Sequence, residues 1–241
     1  MAIWKIDELG EFVTLKRGYD LPQQKRKNGE IPIFSSSGVT GTHNEAMVEA
    51  PGVITGRYGT IGEVFFAKTS FWPLNTTLYV ENFHENDEKF VYYFLKTLEW
   101  KKFASASAVP GINRNTVHKE IVRFPDFETQ QKIASVLSTI DKKIAVNKAI
   151  NDNLEQQAKL IYDYWFIQFD FPDENGKPYC SSGGKMVWNE QLKRNIPENW
   201  NVVPLLKLVS WDTLTSELGG KMICIILWIF KIHQSNRRNR R

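Results

Sequence analysis

The feature that most constrains this chain is the absence of glycine and proline from residues 126–171. These two residues interrupt helices most strongly, so the segment predicts one unbroken helix. At about 1.5 Å per residue, that helix would be about 70 Å long. A head of ordinary size cannot readily cover a helix of this length.

Apolar residues recur along this segment at alternating steps of four and three positions, which is the spacing of a coiled-coil seam. Two asparagines occupy its middle, and a polar seam residue costs stability unless a partner residue meets it. The spacing therefore predicts pairing with another helix; the alternative is an amphipathic helix that lies on its own domain. The seam consists of Ile133, Leu137, Ile140, Ile144, Asn147, Asn151, Leu154, Ala158, Ile161 and Trp165.

Residues 1–125 have a different pattern, in which short apolar runs alternate with Gly, Pro, Ser and Asn. Such runs are typical of strands and turns. One helical period interrupts them at about 87–103, where Val91, Leu95 and Leu98 recur at helical spacing. We therefore predict an α+β head of mixed strands and helices, followed by the long helix.

The remaining sequence suggests a connector and a weak repeat. Residues 171–199 are dense in Gly, Pro, Asn and Ser, as in connectors. The stretch "WNVVPLLKLV" from Trp200 can be aligned with "WKIDELGEFV" from Trp4, which indicates a second copy of the head. The predicted organisation is a head at 1–125, a helix at 126–170, a connector at 171–199, and the start of a truncated second head with an aberrant tail at 200–241.

The composition excludes several classes of protein. Cys180 and Cys224 are too few for a disulfide framework or a zinc site. The stretch "MAIWKIDELG" lacks the apolar run of a signal peptide. The longest apolar run, "MICIILWIFKI", has 11 residues, whereas a membrane-spanning helix needs about 20. We therefore predict a cytoplasmic protein that does not enter a membrane.

No catalytic motif is present in the sequence. It has no P-loop, no H-E-x-x-H and no G-x-S-x-G, and its four histidines lack ligand spacing. The stretch "VPGIN" at 109–113 lacks the polar-Pro-Pro-aromatic run expected of an amino-methyltransferase. We predict that the chain is not an enzyme and binds neither a metal nor another cofactor.

The stretch "GRYGTIG" at 56–62 places three glycines at intervals of three. It lies between two predicted strands, "GVIT" and "EVFFAK", and no helix follows that could hold a phosphate. A hairpin loop explains the glycines, because tight turns need positive φ values. Arg57, Tyr58 and Thr60 would then project, and their side chains suit contacts with phosphate and base edges.

Several other loops carry the same donor-rich side chains. Each loop alone is usually just a solvated turn, but together on one edge they would form a base-reading surface, since specific protein–DNA interfaces are polar and cationic. The candidate DNA-binding residues are Lys16, Arg17, Tyr19, Lys25, Ser36, Arg57, Tyr58, Thr60, Asn75, Thr76, Ser105, Asn113 and Arg114.

Several stretches resemble the specificity subunits of type I restriction-modification systems. They are "WKIDELGEFVTLKRG", "GVITGRYGTIG", "LNTTLYV", "VPGINRNTVHKEIVRFPDFETQQKIASVLSTIDKKI" and "LEQQAKLIYDYWF". The most specific is "FPDFETQQKIASVLSTID", in which a proline precedes Gln130, Gln131 and Ile133. It is similar to the boundary between that family's target-recognition domain and its spacer helix.

This resemblance implies a non-catalytic subunit that directs methyltransferase and restriction subunits to DNA. Typical members hold two recognition domains and two antiparallel spacer helices, and each domain reads half of a bipartite target. The present chain has one recognition domain and one spacer helix, which is a half-subunit form. A homodimer joined through the two seams would restore two recognition domains.

Three functions remain open on this evidence. The first is the DNA-reading subunit, with double-stranded DNA and the methyltransferase and restriction subunits as partners. The second is a coiled-coil adaptor whose globular head binds protein. The third, and the least supported, is a small hydrolase or nuclease.

Overall fold

The computed structural model describes residues 4–104 and 111–202. The chain divides between Ala145 and Val146 into two compact units. Almost all of the predicted second head lies outside the described residues, and so does the candidate residue Ser105.

The first unit combines strands and helices, which confirms the predicted α+β head. Its strands are β1 (Trp4–Glu8), β2 (Thr14–Arg17), β3 (Ile31–Ser35), β4 (Gly38–His43), β5 (Gly52–Gly56), β6 (Val64–Ala67), β7 (Trp72–Pro73), β8 (Thr77–Asn82) and β9 (Ile121–Pro125). Its helices are α1 (Leu9–Phe12), α2 (Glu88–Thr97) and α3 (Arg114–His118), and the long helix α4 (Phe127–Tyr162) begins in this unit. Short 3₁₀ helices occupy Gln23–Lys25 and Trp100–Phe103.

The main sheet of the head has the strand order β2-β8-β5-β6, with antiparallel neighbours throughout. A second sheet has the order β4-β3-β7, and β1 pairs with β9. The stretches "GVIT" and "EVFFAK" form β5 and β6, as predicted.

Strand β5 is buried along its whole length because each of its faces meets a separate apolar cluster. Successive side chains of a strand point to opposite faces. Val53 therefore packs with Leu78 and Val91 on one face, while Ile54 packs with Phe71 on the other. This double burial explains why the strand is a continuous apolar run and not an alternating one.

Helix α2 is shorter than the sequence predicted. It begins at its N-cap Asp87, whose side chain accepts a hydrogen bond from the Phe90 amide, but it ends at Thr97 rather than near 103. The backbone of Leu98 is extended, and the Trp100 indole donates to the Leu95 carbonyl at 2.8 Å. A buried side chain thus satisfies a carbonyl at the helix end, which a purely helical period does not reveal.

The start of α4 is attached to the head by a buried glutamine. Gln130 is 1% exposed, and its side-chain amide donates to the Asn86 side-chain oxygen at 2.7 Å and to the Pro125 carbonyl at 2.8 Å. Its oxygen accepts from the Asp87 amide at 3.0 Å. These bonds join the helix to the segment that precedes α2.

Beyond this attachment, every residue of α4 from Thr139 to Ile161 is exposed. Ile144 is 60% exposed and Leu154 is 56% exposed. Within the first unit, the seam residues Ile140 and Ile144 are therefore exposed, while the Tyr93 hydroxyl donates to the Asp141 carboxylate of the same stretch at 2.7 Å.

The seam departs from the predicted spacing only at its end. Regular helix stops at Tyr162, and Asp163–Ile167 form a π-helical turn. Trp165 lies in that turn, so its step from Ile161 does not follow the spacing of an α-helix.

The second unit contains a hairpin where the sequence predicted only a connector. Strands β10 (Met186–Asn189) and β11 (Arg194–Pro197) pair antiparallel. The Trp200 ring stacks on Phe171, with ring centroids 5.4 Å apart. The Asp170 carboxylate accepts from the Ser181 hydroxyl and amide, and these bonds lower the pKa of Asp170.

Replacing Gln130 should destabilise the head. Gln130→Ala leaves the Asp87 amide and the Pro125 carbonyl without this partner, and an unsatisfied buried polar group costs about 1–3 kcal/mol. Urea unfolding of the full chain measures the loss. The matched control is Gln131→Ala, because Gln131 is the exposed neighbour on the same helix. Equal unfolding free energies for the two variants would contradict the structural role of Gln130.

Candidate nucleic-acid interface

A cleft of about 590 Å³ opens on the head beside the end of β2. Four chain segments line it: the end of β2, the loop after β5, the start of β8, and residues 111–115 at the start of α3. Six of the candidate residues line it, namely Lys16, Arg17, Arg57, Tyr58, Asn113 and Arg114. The buried side chains of Leu78 and Ile112 lie beneath them. The predicted convergence of loops therefore occurs for about half of the candidates.

Backbone contacts hold the loop after β5 in place. The Thr76 carbonyl accepts from the Arg57 amide at 2.8 Å and from the Tyr58 amide at 3.2 Å. Gly59 and Gly62 have positive φ values of 79° and 95°, as a tight loop predicts. Gly56 is required for a different reason, because a Cβ there would overlap the Thr60 carbonyl oxygen.

The side chains of Arg57 and Tyr58 form one unit on the cleft wall. The Arg57 guanidinium carbon lies 4.5 Å from the centre of the Tyr58 ring. The Tyr58 ring lies against Gly111, where a Cβ would overlap it, and the two residues form a β-bridge. The Arg57 carbonyl accepts from the Ile112 amide at 3.0 Å.

The four cations of the cleft differ in their partners. Lys16 donates to Glu81 at 2.5 Å, and this bond raises the pKa of Lys16. The Arg17 guanidinium lies 3.6 Å from the Asp20 carboxylate. In the described part of the chain, Arg57 and Arg114 have no carboxylate within 4.0 Å. The guanidinium groups of these two arginines are therefore available to pair with an external anion.

Two candidate residues have internal hydrogen-bond partners, and a third, Thr76, has a buried hydroxyl. The Tyr19 hydroxyl lies 3.0 Å from that of Tyr79, and the Asn75 amide donates to Asp20. The Thr76 hydroxyl is buried without a hydrogen-bond partner in the structure. The Tyr19–Tyr79 and Asn75–Asp20 contacts join residues that are 60 and 55 positions apart in the sequence, so a local sequence pattern does not reveal them.

The remaining described candidates lie outside the cleft lining. Lys25 is exposed at the end of its 3₁₀ helix, and Thr60 is exposed in the loop after β5. Ser36 lies in the β3–β4 turn, next to Gly56 and Gly59. Ser36 therefore lies next to the glycine loop, and Thr60 is part of that loop. Lys25 does not line the cleft.

The sequence analysis did not predict helix α3 or the contact between His118 and the Leu15 amide. Asn113 caps α3 by accepting from the Asn115 amide at 3.0 Å. The Leu15 amide donates to Nε2 of His118 at 2.9 Å, so the ring must be neutral at that nitrogen. Burial lowers the pKa of His118, and Arg114 lowers it further. A helix of five residues is too short to give a periodic signal.

The cleft combines cations, an aromatic ring and an amide, which is the chemistry that contacts phosphate and base edges. Among residues 4–104 and 111–202, no cluster of three His, Cys, Asp or Glu side chains could hold a metal ion. Within the same ranges, none of the helices has the length and apolarity of a bilayer-spanning segment.

Together, the fold and the cleft define an α+β head that has a cationic cleft and carries a long helix. The family model for the type I restriction modification DNA specificity domain matches residues 1–156, which is more than half of the chain. The chain therefore belongs to that family, as its resemblance predicted. The family is one of specificity domains and not of methyltransferases or nucleases, which confirms the predicted non-catalytic class.

Curated relatives are specificity subunits of type I restriction enzymes. The MjaIX specificity subunit of Methanocaldococcus jannaschii is 32% identical over 149 residues, which cover 59% of this chain and 32% of the relative. The HindI specificity subunit of Haemophilus influenzae is 37% identical over 78 residues, covering 31% of this chain and 17% of the relative. The chain thus matches less than half the length of each relative.

Solved structures confirm the fold. The S subunit of a type I restriction-modification system from M. genitalium has a TM-score of 0.58 at 19% identity, covering 70% of this chain and 47% of that one. A chain from a study of complex assembly and conformational transition of the type I R-M system has a TM-score of 0.51 at 17% identity, covering 66% and 43%.

His118 should make the head less stable as the pH falls. Its folded-state pKa lies below the ordinary value of 6.5, so the unfolded chain takes up the proton first. The stability that neutral His118 contributes is therefore complete above about pH 6.5 and is lost as the pH falls through the lower folded-state pKa. Urea unfolding of the wild type and of His118→Gln, from about pH 7.5 to about pH 5, measures this. The wild type should lose more unfolding free energy than the variant, and identical pH profiles would contradict the assignment.

Proposed function

We propose that this chain recognises a DNA sequence through the cleft, as the specificity component of a type I restriction-modification assembly. One observation carries the proposal: two chain segments that are far apart in the sequence bring Arg57 and Arg114, both without a carboxylate partner in the described structure, into one cleft with Tyr58 and Asn113. In this proposal, residues 1–125 are the recognition domain and 126–170 the spacer helix. Residues 171–199 are a connector, and 200–241 begin a second recognition domain.

The proposed partners follow from the family. Its members among the relatives are specificity subunits of type I restriction enzymes. We infer that this chain likewise directs methyltransferase and restriction subunits to a bipartite target in double-stranded DNA, and that it acts in the cytoplasm. The competing function, a coiled-coil adaptor whose head binds protein, would leave the unpaired arginines without a defined role.

The exposed seam of α4 supports pairing between two copies of the chain. In an antiparallel pair centred on Ala149, Asn147 of one copy faces Asn151 of the other, and Ile144 faces Leu154. Each asparagine then meets an amide that can satisfy it, and the apolar residues meet apolar residues. A shift by one heptad in either direction would place the asparagines against apolar residues, so the polar positions favour this register.

Pairing in this register would set the distance between two recognition heads. The seam spans 33 residues, from Ile133 to Trp165. At about 1.5 Å per residue it is about 50 Å long, which corresponds to about 15 base-pair steps of about 3.4 Å. Because the two heads would be identical and related by a twofold axis, the target would be an interrupted palindrome.

The full chain should bind a preferred duplex that is selected from a random library, and Arg57→Glu with Arg114→Glu should weaken that binding by about tenfold or more. Each lost phosphate contact should also lower the salt slope of log K by about one. Arg123→Glu is the matched control, because Arg123 is an exposed arginine on β9, outside the cleft. If the wild type shows no preference among DNA sequences, DNA recognition is refuted, and stable pairing without DNA binding would favour the adaptor.

The full chain should be a dimer at micromolar concentration, and Ile144→Asp should make it monomeric, because a carboxylate in the seam is buried without a partner. Val146→Asp is the matched control, since Val146 is 58% exposed on the same helix but lies off the seam. Sedimentation equilibrium measures both. A wild type that is monomeric throughout the micromolar range would refute the homodimer and leave the cleft unaffected.

A further inference from the structure

Arg57 differs from the other cations of the cleft because its guanidinium is oriented before any ligand arrives. Its own amide and carbonyl are hydrogen-bonded, to Thr76 at 2.8 Å and to Ile112 at 3.0 Å. Its side chain lies over the Tyr58 ring at 4.5 Å. The backbone and the side chain are therefore both held by neighbours in the same cleft.

This orientation matters because arginine recognises its ligands through geometry. The guanidinium is a planar fork of donors, and it can bind O6 and N7 of guanine with two parallel hydrogen bonds. A free arginine side chain loses rotamer entropy when it forms such bonds, whereas a stacked one has already lost part of it. A lysine at this position would keep the charge and lose the fork.

The other three cations have different environments. Lys16 and Arg17 lie next to Glu81 and Asp20, so part of their charge is already neutralised. Arg114 is exposed at the start of α3, and no aromatic ring in the described residues lies against it. These side chains suit contacts with phosphate, which tolerate a mobile or partly screened charge.

We propose that Arg57 is a specificity-determining residue that reads the major-groove edge of a guanine in the target, and that Tyr58 and Gly111 are positioning residues for it. This inference rests on the proposed DNA recognition by the cleft. Gly111 contributes because a Cβ there would overlap the Tyr58 ring and displace the surface on which the guanidinium lies. The constraint at Gly111 is therefore the space that the Tyr58 ring occupies.

The test uses the full chain, its preferred duplex, and copies of that duplex in which one guanine at a time is replaced by 7-deazaguanine. The replacement removes the N7 acceptor and keeps Watson–Crick pairing. The wild type should lose about tenfold in affinity at one particular guanine. Arg57→Lys should bind the unmodified duplex about tenfold more weakly and show a smaller further loss at that guanine than the wild type, because an ammonium can donate to N7 or O6 but lacks the planar fork.

The matched control is Arg123→Lys, since Arg123 also stacks on an aromatic ring, that of Trp4 at 4.9 Å, but lies outside the cleft. It should behave like the wild type on every duplex. If Arg57→Lys weakens all sequences by the same factor, Arg57 contacts phosphate and the inference is overturned while DNA recognition stands. A wild type without any sequence preference would overturn DNA recognition itself, and the inference with it.

The positioning residues are tested by the same set of duplexes. Tyr58→Phe keeps the stacking surface and should retain the sensitivity to 7-deazaguanine, whereas Tyr58→Ala should lose it. Gly111→Ala should lose it as well, although Arg57 is still present. The urea-unfolding midpoint of each variant is also measured. A variant that keeps the wild-type midpoint has lost a contact and not its fold. Full sensitivity in both Tyr58→Ala and Gly111→Ala would overturn the positioning role.

Discussion

The buried amide of Gln130 is the interaction on which the rest of the head depends. It joins the start of α4 to the Asp87 amide and the Pro125 carbonyl, two backbone groups at the ends of neighbouring elements. An apolar side chain at this position would fill the space but leave both groups unsatisfied. One side chain therefore attaches the first turn of the long helix, which Asp126 caps, to the turn that precedes α2.

The cleft is built on the same principle, because its geometry is fixed by backbone before side chains are added. The Thr76 carbonyl holds the Arg57 and Tyr58 amides, and β5 places that loop through its pairing of Gly56 with Thr77 on β8. Gly111 leaves room for an aromatic ring against the main chain. Side chains on such a frame lose little entropy on binding, which is the physical basis of preorganised recognition.

The sequence predicted those features that repeat along the chain and missed those that depend on distant partners. The period of α4 and the apolar runs of β5 and β6 are local signals, and they were read correctly. At the early end of α2, the Trp100 indole donates to the Leu95 carbonyl. Tyr19 is a candidate DNA-binding residue, but its hydroxyl lies 3.0 Å from the Tyr79 hydroxyl, a contact that the local sequence does not reveal. The β10–β11 hairpin was missed because the sequence around it is dense in Gly, Pro, Asn and Ser, as in a connector.

Because the head is nearly neutral, recognition of DNA must depend on a few side chains. Residues 1–125 contain 15 basic and 14 acidic residues, so the head as a whole gains little from non-specific attraction to phosphate. In the cleft, Glu81 and Asp20 lie beside two of the four cations. Affinity must then come from oriented groups that meet a matching ligand. A surface of this kind favours discrimination between sequences over strength of binding to any one of them.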